Sequence, residues 1–284
     1  MRIGLIGLGR IGAFHARTLV HLPEVTELVV TDAVPSLAAA VEGELGATVV
    51  DTPEELLARG VDGVVIASST PTHGPLIRAA VAHGVPTFCE KPVTQRLEEA
   101  VALREELADS SVPVQIGFPR RFDTAYASAR EQAQSGALGY LHTVRSTTLD
   151  SAPPPRDYIT TSGGIFHDCA VHDFDSVRWA TGQEVLEVVA VGATQGVDYI
   201  DEAGDVETAS AVLTLSGGTI GVVSTTRRNG RGHDVRLELL GSEDSVSAGL
   251  DDRLPLRSAD PAVAFPSGTP WSPSVPATAS CSSG

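Results

Sequence analysis

In the first part of the chain, apolar residues come in short runs closed by glycine, proline or a polar residue. Residues 2–7 (RIGLIG), 27–32 (ELVVTD), 61–68 (VDGVVIAS), 85–90 (VPTFCE) and 112–118 (VPVQIGF) have this form, which predicts buried strands. The stretches between them, at 11–21, 35–45, 53–59, 74–83 and 94–108, carry helical patterns. Strands alternating with helices build βαβ units, whose parallel sheet is covered on its faces. Near residue 119 the rhythm changes. A helix is predicted over 121–135, a strand over 140–149 and a second helix over 165–180. Strand-like runs then follow one another at 184–194, 208–217, 218–227 and 234–242, with SGGT as a hairpin signal between two of them. The fold class predicted is therefore α/β: a Rossmann parallel sheet in residues 1–118, then an α+β domain with an open antiparallel sheet in 119–257. Residues 258–284 are rich in Pro, Ser, Ala and Gly without periodicity, which predicts an irregular tail.

Composition narrows the partners. A chain of 284 residues with 42% hydrophobic and 20% charged content is long enough for two ordinary globular domains. A net charge of −16 argues against a nucleic-acid binder, which needs a basic face to meet phosphates. The three cysteines, Cys89, Cys169 and Cys281, lie far apart, so no disulfide framework or zinc spacing is visible and a reducing cytoplasm is expected. The opening MRIGLIGLG has too short an apolar run for a signal segment or a membrane span.

The first candidate chemistry is GLGRIG, which sets Gly7, Gly9 and Gly12 in G-x-G-x-x-G spacing directly after the first strand, with Arg10 and Ile11 opening a helix. Gly7 makes the turn, Gly9 lets a pyrophosphate approach the backbone, and Gly12 lets helix and strand pack closely. The N–H groups of the helix start then face the phosphates. Asp32 ends the second strand, twenty residues after Gly12. Its carboxylate suits the two ribose hydroxyls and would repel a 2′-phosphate, and Ala33 and Val34 offer no arginine to relieve that charge. NAD is therefore expected rather than NADP.

The second is Lys91, the one lysine among 20 cations. It stands in EKPV after the fifth strand. The loop SSTPTH (68–73) follows the preceding strand. Both lie at the carboxyl edge of the sheet, where open α/β sheets bind ligands. The GLGRIG opening, the TPTH loop and the EKP after strand five together resemble the Gfo/Idh/MocA oxidoreductase family, from residue 1 to about 257. The resemblance implies a two-domain, nicotinamide-dependent sugar or polyol dehydrogenase. It assigns Lys91 to the reacting hydroxyl, and it places Ser68, Thr70, Pro71, His73, Glu90 and Lys91 beside the cofactor. It also implies a cis bond between Lys91 and Pro92.

The third is GGIFHDCAVHDFDSVRWATG (163–182). On one continuous helix Asp168, His172 and Asp175 would share a face, and a histidine between carboxylates is a candidate proton acceptor. No second histidine stands at i+4 of His172, so no metal site is read here. The spacing resembles the family's catalytic helix and its inositol 2-dehydrogenase branch. That likeness makes His172 the base, Asp168 its partner and a substrate contact, and Asp175 a reader of a neighbouring hydroxyl. Arg121 matches an arginine near the polyol. His233, like Arg228, stands where relatives often carry tyrosine, and is taken as substrate-binding.

The expected function is NAD-dependent oxidation of a secondary hydroxyl on a cyclic polyol, myo-inositol at carbon 2. Two rivals remain: a pyranose sugar dehydrogenase, and a catalytically weak NAD-binding regulatory protein. The family resemblance also implies a homo-oligomer, dimer or tetramer, assembled through the open sheet. Relatives usually continue with amphipathic helices packed on the nucleotide domain. Their apparent absence here predicts an exposed apolar patch on that domain and a less stable, less active chain.

Overall fold

The computed structural model describes residues 1–230 and 232–249, and the predicted irregular tail lies outside them. In chain order the elements are β1 (Arg2–Ile6), α1 (Arg10–Val20), β2 (Glu27–Thr31), α2 (Pro35–Leu45), β3 (Thr48–Val49), α3 (Pro53–Ala58), β4 (Gly63–Ile66), α4 (Thr70–Ala82), β5 (Thr87–Glu90), α5 (Leu97–Glu106) and β6 (Val114–Gly117). There follow a short 3₁₀ turn (Pro119–Phe122), α6 (Thr124–Gln134), β7 (Leu141–Leu149), α7 (Arg156–Ser162), α8 (Ile165–Asp168) and α9 (Val171–Thr181). The last are β8 (Val185–Ala193), α10 (Asp198–Glu202), β9 (Thr208–Leu215), β10 (Ile220–Thr226), β11 (Asp234–Gly241) and β12 (Ser245–Ala248). Two compact units result. The first is Met1–Pro119 together with Thr160–Asp168; the second is Arg120–Ile159 and the described residues from Cys169 on. The return of 160–168 to the first unit departs from the simple sequential division expected at residue 118.

The first unit is a six-stranded parallel sheet in the order β3-β2-β1-β4-β5-β6. Period-2 alternation sorts its side chains. Leu5, Leu28 and Val30 face one side with Ala16 of α1 and Ala38 and Val41 of α2. Ile6, Val29, Val64 and Ile66 face the other with Leu56, Leu57, Ile77 and Leu103 of the remaining helices. The strand order reverses between β1 and β4, so the chain leaves these two neighbours in opposite directions and opens a crevice at their carboxyl ends. Far from that crevice a groove of about 510 Å³ is lined by Ile3, Leu19, Val65, Pro86, Phe88 and Val114, among others. It is an apolar recess on the first unit.

The second unit holds a sheet in the order β12-β11-β7-β10-β9-β8. The expected antiparallel sheet is in fact mixed: β7 and β10 run parallel, because β7 is followed by a helical excursion and not by a hairpin. The SGGT hairpin forms between β9 and β10, with Leu215 N–H donating to Thr219 and Gly218 at φ +85°. One face packs on α6 and α9 through Val144, Leu213, Val223, Leu237, Leu239 and Val177. Val189, Val191, Val212 and Ile220 remain exposed.

Candidate active site

The glycine loop has the shape that its residues require. Gly7 has φ +93°, and a Cβ there would lie 2.4 Å from the backbone nitrogen of Ser68. A Cβ on Gly12 would lie 1.9 Å from the Gly7 carbonyl, so α1 could not approach β1 with any side chain there. A Cβ on Gly9 would meet nothing within 4 Å; the space above the loop is open. Gly9 is the N-cap of α1, no side chain caps that end, and no acid stands in the first turn. The start of this helix therefore suits an anion. Asp32 accepts from Leu8 N–H at 2.6 Å through one oxygen and from Val34 N–H at 2.7 Å through the other. The carboxylate is thereby pinned to the glycine loop, and each oxygen keeps a lone pair for a ribose hydroxyl. The loop and its acid fit a dinucleotide.

SSTPTH is not a loop for most of its length. Ser69 is the N-cap of α4, and Thr70, Pro71 and His73 form its first turn. His73, expected against the cofactor, is 1% exposed. Its Nδ1 lies 2.8 Å from the Pro92 carbonyl and its Nε2 3.0 Å from the Ser68 carbonyl. This imidazole is turned inward, with a backbone carbonyl facing each of its nitrogens. Ser68 Oγ lies 2.6 Å from Thr72 Oγ1.

Lys91 follows β5, and its bond to Pro92 is cis. The ammonium donates to the Asp168 backbone carbonyl at 2.8 Å and stands 3.4 Å from the Asp168 carboxylate. Glu90 is held by His15 of α1, Oε1 to Nε2 at 2.7 Å. Cys89 is fully buried, and burial pushes its thiol up to about 12, so it is no nucleophile at neutral pH.

The predicted helix over 165–180 is broken. α8 ends at Asp168 and α9 starts at Val171. Between them the N–H of His172 bonds to Cys169 and that of Asp173 to Ala170, one residue short of α-helical spacing. Asp168 therefore ends α8, while His172 and Asp175 belong to α9. The separate anchors explain the break. Asp168 serves Lys91, while α9 is tied into its own unit by Asp173, which is 0% exposed. Asp173 receives Arg120 Nη1 at 2.9 Å, Ser146 Oγ at 2.6 Å and Thr148 Oγ1 at 2.7 Å. The sequence reading passed over Asp173 and Arg120. The one signal was a third carboxylate in HDFD, one position away from the stripe that drew attention.

His172 is half-buried on α9. Asp175, expected to read a hydroxyl directly, takes Arg121 in a fork, Oδ2 to Nε at 2.9 Å with a second bond to Nη2. That bond raises the Arg121 pKa still further and fixes the guanidinium plane. Arg121 and Asp175 are thus brought together as one unit. His233 stands 3.3 Å from Asp150 through Nδ1. It also lines a pocket of about 290 Å³ with Arg120, Asp123, Tyr126, Asp234 and others. Arg228 is drawn to Glu207 at 3.1 Å. Among the described residues no group of three His, Cys, Asp or Glu side chains could hold a metal ion, and no helix is long and apolar enough to cross a membrane.

Comparison with known proteins places this geometry. Residues 1–118 match the family description "Oxidoreductase family, NAD-binding Rossmann fold", and residues 126–247 match "GFO/IDH/MocA C-terminal domain". A myo-inositol 2-dehydrogenase of Thermotoga maritima is 39% identical over 250 residues, 87% of this chain and 75% of that protein. A scyllo-inositol 2-dehydrogenase (NAD(+)) of Bacillus subtilis is 37% identical over 88% of this chain and 74% of its own length. The crystal structure of a scyllo-inositol dehydrogenase from Lactobacillus casei, with NAD(H) and scyllo-inositol bound, superimposes with a TM-score of 0.80 at 29% identity, covering 87% of this chain and 76% of that one.

Proposed function

The chain belongs to the GFO/IDH/MocA oxidoreductase family, and on that premise we propose that it oxidises myo-inositol at carbon 2 to the ketone. At the coarser level it is an NAD-dependent oxidoreductase of the inositol dehydrogenase type, acting on CH–OH. NAD, when bound, supplies the hydride acceptor. Gly7, Gly9, Arg10, Ile11 and Gly12 would hold its diphosphate, and Asp32 its adenosine ribose.

The observation that carries the reading is Lys91. A single lysine on the carboxyl edge of the sheet is fixed by a backbone carbonyl and faced by the carboxylate of Asp168. An ammonium in that place stabilises negative charge on the oxygen of a reacting hydroxyl. His172 takes the hydroxyl proton as the carbon–hydrogen bond breaks. Asp168 accepts a hydrogen bond from the substrate. Arg121, with its plane set by Asp175, donates to neighbouring hydroxyls, and His233 offers a further polar contact. The relatives named for scyllo-inositol keep that stereoisomer as the second substrate of this reading.

The exposed Val189, Val191, Val212 and Ile220 form an apolar strip on the second sheet and support a homo-oligomer built through that face. A binding titration tests the site. NAD should bind alone, and myo-inositol should bind in its presence and lose affinity in Lys91→Ala. Unchanged inositol affinity in that variant would contradict the assignment.

A further inference from the structure

Lysine carries its charge on four flexible carbons. A lysine that must meet one oxygen therefore depends on how firmly its backbone is held. The structure shows a histidine on each side of Lys91, and both lie within the first unit. On the N-terminal side, Glu90 is gripped by His15. His15 is a residue of α1, the helix that rises from the glycine loop, and its ring stands edge-on to Phe88 at 5.7 Å and 70°. The carboxylate and imidazole are each 21% exposed, so solvent screens this pair only in part. On the C-terminal side, Pro92 has no N–H, and its carbonyl is its only polar backbone handle. That carbonyl lies 2.8 Å from His73 Nδ1, and the opposite nitrogen of the same ring lies 3.0 Å from the Ser68 carbonyl. In either neutral tautomer one of the two contacts is an N–H···O bond. The Ser68 backbone in turn lies against Gly7, where even a methyl group would not fit. Each histidine thus ties a residue next to Lys91 to an element that shapes the nucleotide loop.

We propose that His15 and His73 are positioning residues that hold Glu90 and Pro92, and through them set the ammonium of Lys91. Neither needs to touch the substrate. The proposal rests on the role given to Lys91 above and adds to it the means by which that lysine is held. Its expected size follows from geometry, since a displacement of about 1 Å at a reacting group lowers the rate on the order of 10²-fold.

The test measures kcat with inositol, and the dissociation constant of NAD, in full-length variants. His15→Phe and His73→Phe should lower kcat by about 10-fold or more while NAD binding moves by less than about threefold. A general loss of structure would weaken both. His15→Gln, which can still donate to Glu90, should recover most of the rate. His73→Asn places its amide near the former Nδ1 and keeps the Pro92 contact. His73→Gln places its amide near the former Nε2 and keeps the Ser68 contact. The asparagine variant should therefore be the faster of the two. These polar variants carry the test if His73→Phe fails to fold. Wild-type kcat in the phenylalanine variants, or asparagine no faster than glutamine at position 73, overturns the proposal. Lys91→Ala run alongside separates the two readings. If it keeps its activity, the role of Lys91 falls. If it loses activity while the histidine variants do not, only the histidine proposal falls.

Discussion

The ammonium of Lys91 is held by the backbone carbonyl of Asp168 at 2.8 Å, closer than the 3.4 Å to the Asp168 carboxylate. The backbone contact fixes the position of the charge, and the carboxylate beside it is its counter-charge. A guanidinium has the charge but a planar fork of greater width. Lys91→Arg should therefore lose nearly as much activity as Lys91→Ala. Steady-state rates of the two variants check this; recovery of most of the rate by arginine would mean that charge alone suffices.

His172 is assigned the proton transfer. His172→Ala should lower turnover by roughly 10² to 10⁴, the weight of a positioned general base, with little change in NAD affinity. Wild-type turnover at neutral pH in this variant would place the base elsewhere.

Asp32 accepts from Leu8 and Val34 and so shapes the glycine loop, and it is also the residue proposed for the adenosine ribose. Asp32→Ala should weaken NAD binding and narrow the preference for NAD over NADP. Titration with both dinucleotides checks it. An unchanged ratio would remove Asp32 from the ribose site.

Asp173 has no part in the proposed chemistry, yet it is fully buried with Arg120, Ser146 and Thr148 around it. Asp173→Ala leaves the guanidinium of Arg120 without its carboxylate in a buried place. That should cost about 3–5 kcal/mol, as for other broken buried pairs, and a denaturant titration would read it. A loss below about 1 kcal/mol would mean that Arg120 finds another partner.

The parallel sheet was legible because its strands are continuous apolar runs broken by helical periods, and the two signals do not overlap. The turn of the glycine loop was legible because its backbone shape depends on the spacing of its glycines. The break between α8 and α9 was not. HDCAVHDFD keeps helical spacing through the break, and the break follows from tertiary anchors, Lys91 for Asp168 and Arg120 for Asp173. The inward turn of His73 was hidden for a similar reason. Its partners are the carbonyls of Ser68 and Pro92, and carbonyl acceptors leave no mark in a sequence. The parallel pairing of β7 with β10 also arises from the route of the chain and not from any residue pattern within the strands.

The central claim is NAD-linked oxidation of a cyclic polyol. It is tested most directly by the rate of NADH formation across myo-inositol, scyllo-inositol and glucose, with NADP run in parallel. Turnover should be fastest with NAD and an inositol, with myo-inositol ahead, and slow with NADP. No turnover with either inositol, or a faster rate with glucose, would contradict the account.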